Sequence, residues 1–202
     1  MPVSKTYVLG LTGGIGCGKS QAASYLESLG AKHIDADAIS RSCTAPGGSA
    51  LTEIRNLFGE SVFDENGCLN RRALGDIVFN DPAAKRALEG VIHPLVQKAV
   101  MDAIDASDAA VTVLNVPLLF ESGMDVLCDE TWVISADEET QIERICERDG
   151  MTRGQALARI RSQMDSAARN ARAARVIDSA RPIEKTQVEL KNMYQQLLRR
   201  IG

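Results

Sequence analysis

Eight consecutive residues, Gly13-Gly14-Ile15-Gly16-Cys17-Gly18-Lys19-Ser20, constrain this chain more than any other segment. They satisfy G-x-x-x-x-G-K-[ST], a spacing that wraps backbone N–H groups around a phosphate, with glycines permitting both the turn and the close approach. The flanks have the required form. The apolar run Tyr7-Val8-Leu9-Gly10-Leu11 reads as a buried strand, and Ala22, Leu26 and Leu29 follow at helical spacing until Gly30 stops the helix. The segment therefore reads as a phosphate cradle that binds ATP through Gly13 to Ser20 and the adjoining Gln21. Lys19 reaches the β- and γ-phosphates, the Ser20 hydroxyl ligates Mg²⁺, and the helix adds its positive N-terminal end. Two readings stand for Cys17: a small residue where bulk is excluded, or a reactive thiol at a helix N-terminus that nucleotide shields.

Around the cradle, strands and helices alternate. Ala31–Ile34, Val111–Val116, Thr131–Ser135 and Arg175–Ile177 read as further strands, giving five in all. Helical periodicity covers 49–58, 70–79, 83–106, 138–148 and 153–173. In the last helix Leu190, Met193, Tyr194, Leu197, Leu198 and Ile201 form one apolar stripe. This alternation predicts an α/β fold, a parallel sheet with helices on both faces. The 202 residues suffice for one such domain, 1–202, and no linker divides them.

Composition narrows the function. A net charge of −4 gives no support to nucleic-acid binding. No apolar run approaches the roughly 20 residues that span a bilayer, and Met1–Thr6 lacks the layout of a signal peptide. Five scattered cysteines with no C-x-x-C pair argue against disulfides and zinc and fit a reducing cytoplasm. The expected partners are thus small molecules, with neither nucleic acid nor membrane, in a monomer or weak homo-oligomer. Within this acidic chain, 144–181 holds nine arginines and no lysine. Such a run is either a solvated helix face or a set of cations for a transferring phosphoryl group.

Among nucleotide-binding classes, a G protein would carry N-K-x-D, which is absent. Asp64-Glu65-Asn66-Gly67 fits D-x-x-G but reads as a polar turn. A small-molecule kinase fits better. Asp35-Ala36-Asp37 follows the second strand, where an extended chain would point both carboxylates to one side, one as base and one near Mg²⁺. Asp37 also reads as the cap of a helix beginning at Ala38.

The chain resembles the dephospho-CoA kinases from about residue 7 to 178. The resemblance rests on Leu11-Thr12-Gly13-Gly14-Ile15-Gly16, Ile34-Asp35-Ala36-Asp37, Leu69-Asn70-Arg71, His93-Pro94, Val116-Pro117-Leu118-Leu119-Phe120-Glu121, Arg144 through Arg148-Asp149, and Arg161-x-Gln163. It implies a P-loop NTPase fold of the nucleoside-monophosphate-kinase type. The core would be about 1–37, 108–149 and 174–202, with a helical acceptor subdomain at about 38–107 and an arginine-rich lid at about 150–173. It also implies transfer of phosphate from ATP–Mg²⁺ to the ribose 3′-hydroxyl of dephospho-CoA. Asp37 would be the base, Lys19 and Arg148 would assist catalysis, and Arg148 and Arg161 would face the phosphates. Asp37, Arg71, His93, Pro117, Leu118 and Leu119 would bind the acceptor. His93-Pro94 reads alternatively as a helix end. The chain departs from the family pattern at Cys17, at Asn115 where an acid is common, and at Ala174 and Ser179 near the expected adenine site. A kinase for another hydroxyl acceptor, such as a nucleoside or sugar, and a nucleotide-binding module without transfer chemistry stay open beside this reading.

Overall fold

The computed structural model describes residues 6–202; most of the N-terminal segment read above for a signal peptide lies outside the described residues. Five strands form one all-parallel sheet: β1 (Tyr7–Gly13), β2 (Lys32–Asp35), β3 (Val111–Asn115), β4 (Glu130–Ser135) and β5 (Arg175–Asp178), in the order β2-β3-β1-β4-β5. The strands are short; β1, β3 and β4 are rich in apolar or β-branched residues, and all five residues of β3 are buried, whereas the edge strands β2 and β5 are at least half charged or polar. The chain leaves β1 with β3 on one side and β4 on the other. At such a switch point an α/β sheet opens a crevice beyond the carboxyl ends of its strands.

The chain divides into two compact units: one runs to Asp35 and resumes over Ala103–Gly202, and the other is Ala36–Asp102. In the first unit, α1 (Lys19–Ser28) packs on β2 and β3, and α9 (Ile183–Ile201) packs on α1 and β5. Leu9, Leu11, Val113, Trp132, Ile134 and Ile177 from the sheet meet Ala23 and Leu26 of α1 and Leu190, Tyr194 and Leu197 of α9, all buried. The last three are the inward part of the apolar stripe expected there. Beneath the other face of β1, Cys128 and Leu119 approach Gly10 closely enough that a Cβ there would lie 2.6 Å and 3.0 Å from them. Three helices complete this unit: α6 (Glu138–Asp149), α7 (Arg153–Arg161) and α8 (Ser166–Arg172), the first two packed together.

The second unit is helical: α2 (Ala36–Cys43), α3 (Leu51–Phe58), α4 (Arg71–Asn80) and most of α5 (Pro82–Asp105). The Asp64–Gly67 segment is the polar turn expected. Asp64 Oδ1 accepts from the Asn66 and Cys68 amides at 2.9 and 2.8 Å, and Gly67 has φ 73°.

Three expectations are corrected. Helix α5 continues through Pro94, so His93-Pro94 is not a helix end; the proline lacks only the N–H that would bond to the carbonyl of Gly90 one turn earlier. Helical periodicity over 153–173 resolves into two helices, because Asp165 caps α8 with bonds from the Ala167 and Ala168 amides. The Asp35-Ala36-Asp37 segment is not extended: β2 ends at Asp35 and α2 begins at Ala36, placing Asp37 in the first helical turn rather than at a cap before Ala38.

Candidate functional site: a phosphate cradle at the end of strand β1

The cradle spans the gap between the last residue of β1, Gly13, and the first of α1, Lys19. Its shape depends on glycine. Gly16 has φ 79°, and a Cβ there would sit 2.8 Å from the Gln141 carbonyl oxygen on α6, so both backbone and space exclude a side chain. At Gly14 a Cβ would meet the Gln141 amide oxygen at 3.0 Å and Arg169 Nη1 at 3.2 Å.

Hydrogen bonding then sorts the backbone groups. The Gly14 carbonyl accepts from the Cys17 amide at 3.1 Å. The Gly16 carbonyl accepts from Arg144 Nη1 at 3.3 Å, and the Cys17 carbonyl accepts from the Ser179 hydroxyl at 2.7 Å. Arg144 also donates to the Ser179 carbonyl at 2.6 Å, which ties this clamp together. The amides of Gly16, Gly18 and Ser20 make no hydrogen bond among the described residues. Carbonyls engaged and amides unpaired define an anion-binding loop, reinforced by the N-terminal end of α1.

Lys19 donates its ammonium to Asn115 Oδ1 at the end of β3. Asn115 is itself buried, and its Nδ2 lies 3.1 Å from His33 Nε2 on β2. The Ser20 hydroxyl is exposed and makes no hydrogen bond among the described residues, and the adjoining Gln21 is also exposed. Cys17 is only 2% exposed, and burial pushes its thiol pKa up, outweighing the nearby Arg169 and Arg144. Burial favours the other reading, a small residue held under the loop where bulk is excluded.

The arginine-rich segment is attached to the cradle by residues to which the sequence motifs give no role. Gln163, just beyond α7, accepts the Ile15 amide at 2.9 Å. Arg169 is 3% exposed; it donates to the Met164 carbonyl at 2.6 Å, lies 3.9 Å from Glu121, and has a buried Nε with no partner among the described residues. Glu121 in turn accepts the Met164 amide at 3.2 Å. The two arginines expected at the phosphates are both exposed. Arg148 is in a two-pronged pair with Asp149, at 2.8 Å for each contact, and that bonding raises its own pKa and lowers that of Asp149. Arg161 is exposed at the end of α7 and has no side-chain partner among the described residues.

On the expected acceptor side, the Pro117 carbonyl accepts the Thr12 hydroxyl at 3.0 Å and Leu118 is 44% exposed. Leu119 is fully buried; it anchors the turn from below instead of lining its surface. In the helical unit, Arg71 at the start of α4 donates to Thr44 Oγ1 at 2.7 Å and the Arg41 carbonyl at 3.3 Å. His93 is exposed midway along α5. Asp37 is in the first turn of α2.

Beside α1 a cleft opens whose walls include Gly18, Gln21, Tyr25, Arg144, Arg181 and Gln187. Among the described residues, no group of three or more His, Cys, Asp or Glu side chains is placed to hold a metal ion, and no helix is long and apolar enough to cross a membrane.

A parallel sheet with this strand order and a Gly-rich loop feeding a helix is the fold and donor site of P-loop kinases. Comparison with known proteins narrows the class. A family profile described as dephospho-CoA kinase matches residues 7–184. The dephospho-CoA kinase of Moorella thermoacetica is 39% identical over 97% of this chain and 94% of its own length. A crystal structure from Thermus thermophilus superposes with a TM-score of 0.84 at 34% identity, covering 96% of this chain and 99% of that one. Dephospho-CoA kinase from Campylobacter jejuni superposes with a TM-score of 0.66 at 26% identity, over 96% and 98% of the two chains. The chain belongs to the dephospho-CoA kinase family.

Proposed function

We infer that this protein transfers the γ-phosphoryl group of ATP to the ribose 3′-hydroxyl of dephospho-CoA, giving coenzyme A and ADP, the last step of coenzyme A biosynthesis. The observation that carries the donor half is the cradle, with the Gly16, Gly18 and Ser20 amides unpaired and the intervening carbonyls tied to Arg144 and Ser179. Family membership carries the identity of the acceptor.

In this reading the cradle amides and Lys19 hold the β- and γ-phosphates, where preorganised donors stabilise charge on the transferring group. Mg²⁺ neutralises phosphate charge when it accompanies the nucleotide. Its protein ligand is the exposed Ser20 hydroxyl, in keeping with the preference of Mg²⁺ for substrate phosphates and water over an all-protein cage. Asn115 is a neutral amide already engaged by Lys19 and supplies no carboxylate. The adenine occupies the cleft beside α1. Because the Ser179 hydroxyl is committed to the Cys17 carbonyl, Gln21 and Gln187 supply polar contacts to the base. The segment over about 150–173 serves as the lid and brings Arg161 to the phosphates, which Arg148, at the end of α6, meets when it releases Asp149.

Asp37 takes the proton of the attacking hydroxyl. Arg71, His93 and the Pro117-Leu118 turn bind the acceptor, with Leu119 holding that turn in place. General-base assistance contributes about 10²–10⁴-fold, so Asp37→Asn should lower kcat by that order and leave ATP affinity near wild type. An Asp37→Asn enzyme with wild-type turnover would remove Asp37 from the chemistry. We place the enzyme in the cytoplasm, acting as a monomer or weak homo-oligomer without nucleic acid; its described cysteines are all free thiols.

Incubation with ATP–Mg²⁺ and a panel of hydroxyl acceptors tests the assignment. Phosphorylation of dephospho-CoA alone is the expected result. Turnover of a nucleoside or sugar instead, or ATP binding without product, would refute it.

A further inference from the structure

Behind the cradle, a chain of polar side chains runs from Lys19 through Asn115 and His33 to Glu27. Lys19 Nζ donates to Asn115 Oδ1, Asn115 Nδ2 lies 3.1 Å from His33 Nε2, and His33 Nδ1 lies 3.6 Å from a Glu27 carboxylate oxygen. The elements bring this about directly. Asp35 of β2 is in register with Asn115 of β3, so His33 lies two residues back along the same strand edge, while Lys19 and Glu27 come from the two ends of α1.

Donor and acceptor counting fixes the state of every group. An ammonium can only donate, so Lys19 turns the Asn115 carbonyl oxygen toward itself. The amide nitrogen must then face His33, and it too can only donate. His33 Nε2 therefore accepts, and the neutral ring carries its proton on Nδ1, toward Glu27. Asn115 is 4% exposed, so its amide has little access to water as an alternative partner.

We propose that His33 is a positioning residue for the phosphate-binding Lys19, acting through Asn115, and that protonation of His33 releases Lys19 from that anchor. A proton on Nε2 would set two donors against each other. Asn115 would then lose its bond to His33 or turn its NH₂ toward the Lys19 ammonium, and either change weakens the hold of Asn115 on Lys19. Of the charged side chains on α1, Glu27 lies 3.6 Å from the ring and Lys19 is joined to it through Asn115 of β3. The balance between hydrogen-bond polarity and these charges makes nucleotide binding and protonation of His33 mutually dependent.

The proposal rests on Lys19 meeting the ATP phosphates, so Lys19→Ala is measured alongside. Two variants of His33 separate hydrogen bonding from titration. His33→Gln keeps an acceptor that does not titrate, and His33→Ala removes it. Loss of one hydrogen bond of ordinary strength predicts a KM for ATP about five-fold higher in His33→Ala at pH 7.5, with kcat within about two-fold of wild type. Between pH 7.5 and about 5.5, where imidazoles gain a proton, the wild-type KM should rise about five-fold relative to His33→Gln. The nucleotide's own terminal phosphate titrates in the same range for both enzymes and cancels in that ratio. Nitrogen NMR of the imidazoles, of which the chain has only two, should show the Nδ1–H tautomer for His33. An Nε2–H tautomer at neutral pH would overturn the proposal. A crippled Lys19→Ala beside a His33→Ala enzyme with unchanged KM and pH profile would overturn the relay alone, and unchanged kinetics in Lys19→Ala would overturn the cradle assignment with it.

Discussion

The Cys17 thiol lies beneath the cradle, 2% exposed, and burial pushes its pKa up despite two nearby guanidinium groups. A raised thiol pKa leaves less thiolate at neutral pH, and the thiolate is the reactive form. At pH 7.5 alkylation of Cys17 should therefore be far slower than that of an exposed thiol and nearly independent of ATP–Mg²⁺, accelerating only as pH climbs past the ordinary thiol range. Mass-spectrometric mapping of the labelled cysteines reads this; rapid labelling of Cys17 that nucleotide suppresses would contradict it. Residue identity alone left this choice open, because depth beneath the loop depends on the sheet and α1 residues with which Cys17 clusters. The same limit applies to Ser179 and Asn115. Each was visible as a departure from the family pattern, but only the fold brings Ser179 to the Cys17 carbonyl and Asn115 to Lys19. His33 carried no signal, since one histidine in a short strand has many possible neighbours.

Glu130, at the start of β4, ties three elements of the first unit together. It accepts from the Trp132 indole at 2.8 Å, from Tyr7 of β1 at 3.1 Å, and from Arg200 near the end of α9. Burial pushes its carboxyl pKa up, but bonds from Trp132, Arg200 and Tyr7 outweigh it and leave the value below the ordinary carboxylate range. A carboxyl lowered by folding contributes stability that is complete above its unfolded pKa and is lost as pH falls through the folded one. Glu130→Gln should thus cost about 1 kcal/mol at pH 7, and the difference from wild type should shrink as pH drops below about 4. Urea unfolding at the two pH values measures it. A penalty that stays constant with pH would contradict the charged network. At this scale the strands, the α9 stripe and the long helix over 83–106 were legible because burial imposes periodicity, and Pro94 costs that helix only one bond. The divided 153–173 segment was not, because the Asp165 cap competes locally with continued helix.

For the whole molecule, sheet order converts a sequence motif into a site. With β3 and β4 flanking β1, the loop after Gly13 emerges beside Asn115 and beneath Arg169, and the arginine-rich segment is fastened to it through Gln163. The donor half of the site was legible because a phosphate cradle is local in sequence. The acceptor half was named only through family resemblance, because its residues are scattered over Asp37, Arg71, His93 and the Pro117-Leu118 turn. The most direct test of the whole account is the position of the phosphate in the product. Phosphorus NMR of the reaction of ATP–Mg²⁺ with dephospho-CoA should reveal a phosphomonoester coupled to the ribose 3′ proton and identical to coenzyme A, formed by the wild type and lost in Lys19→Ala. A product phosphorylated elsewhere, or no phosphomonoester while ATP remains bound, would contradict it.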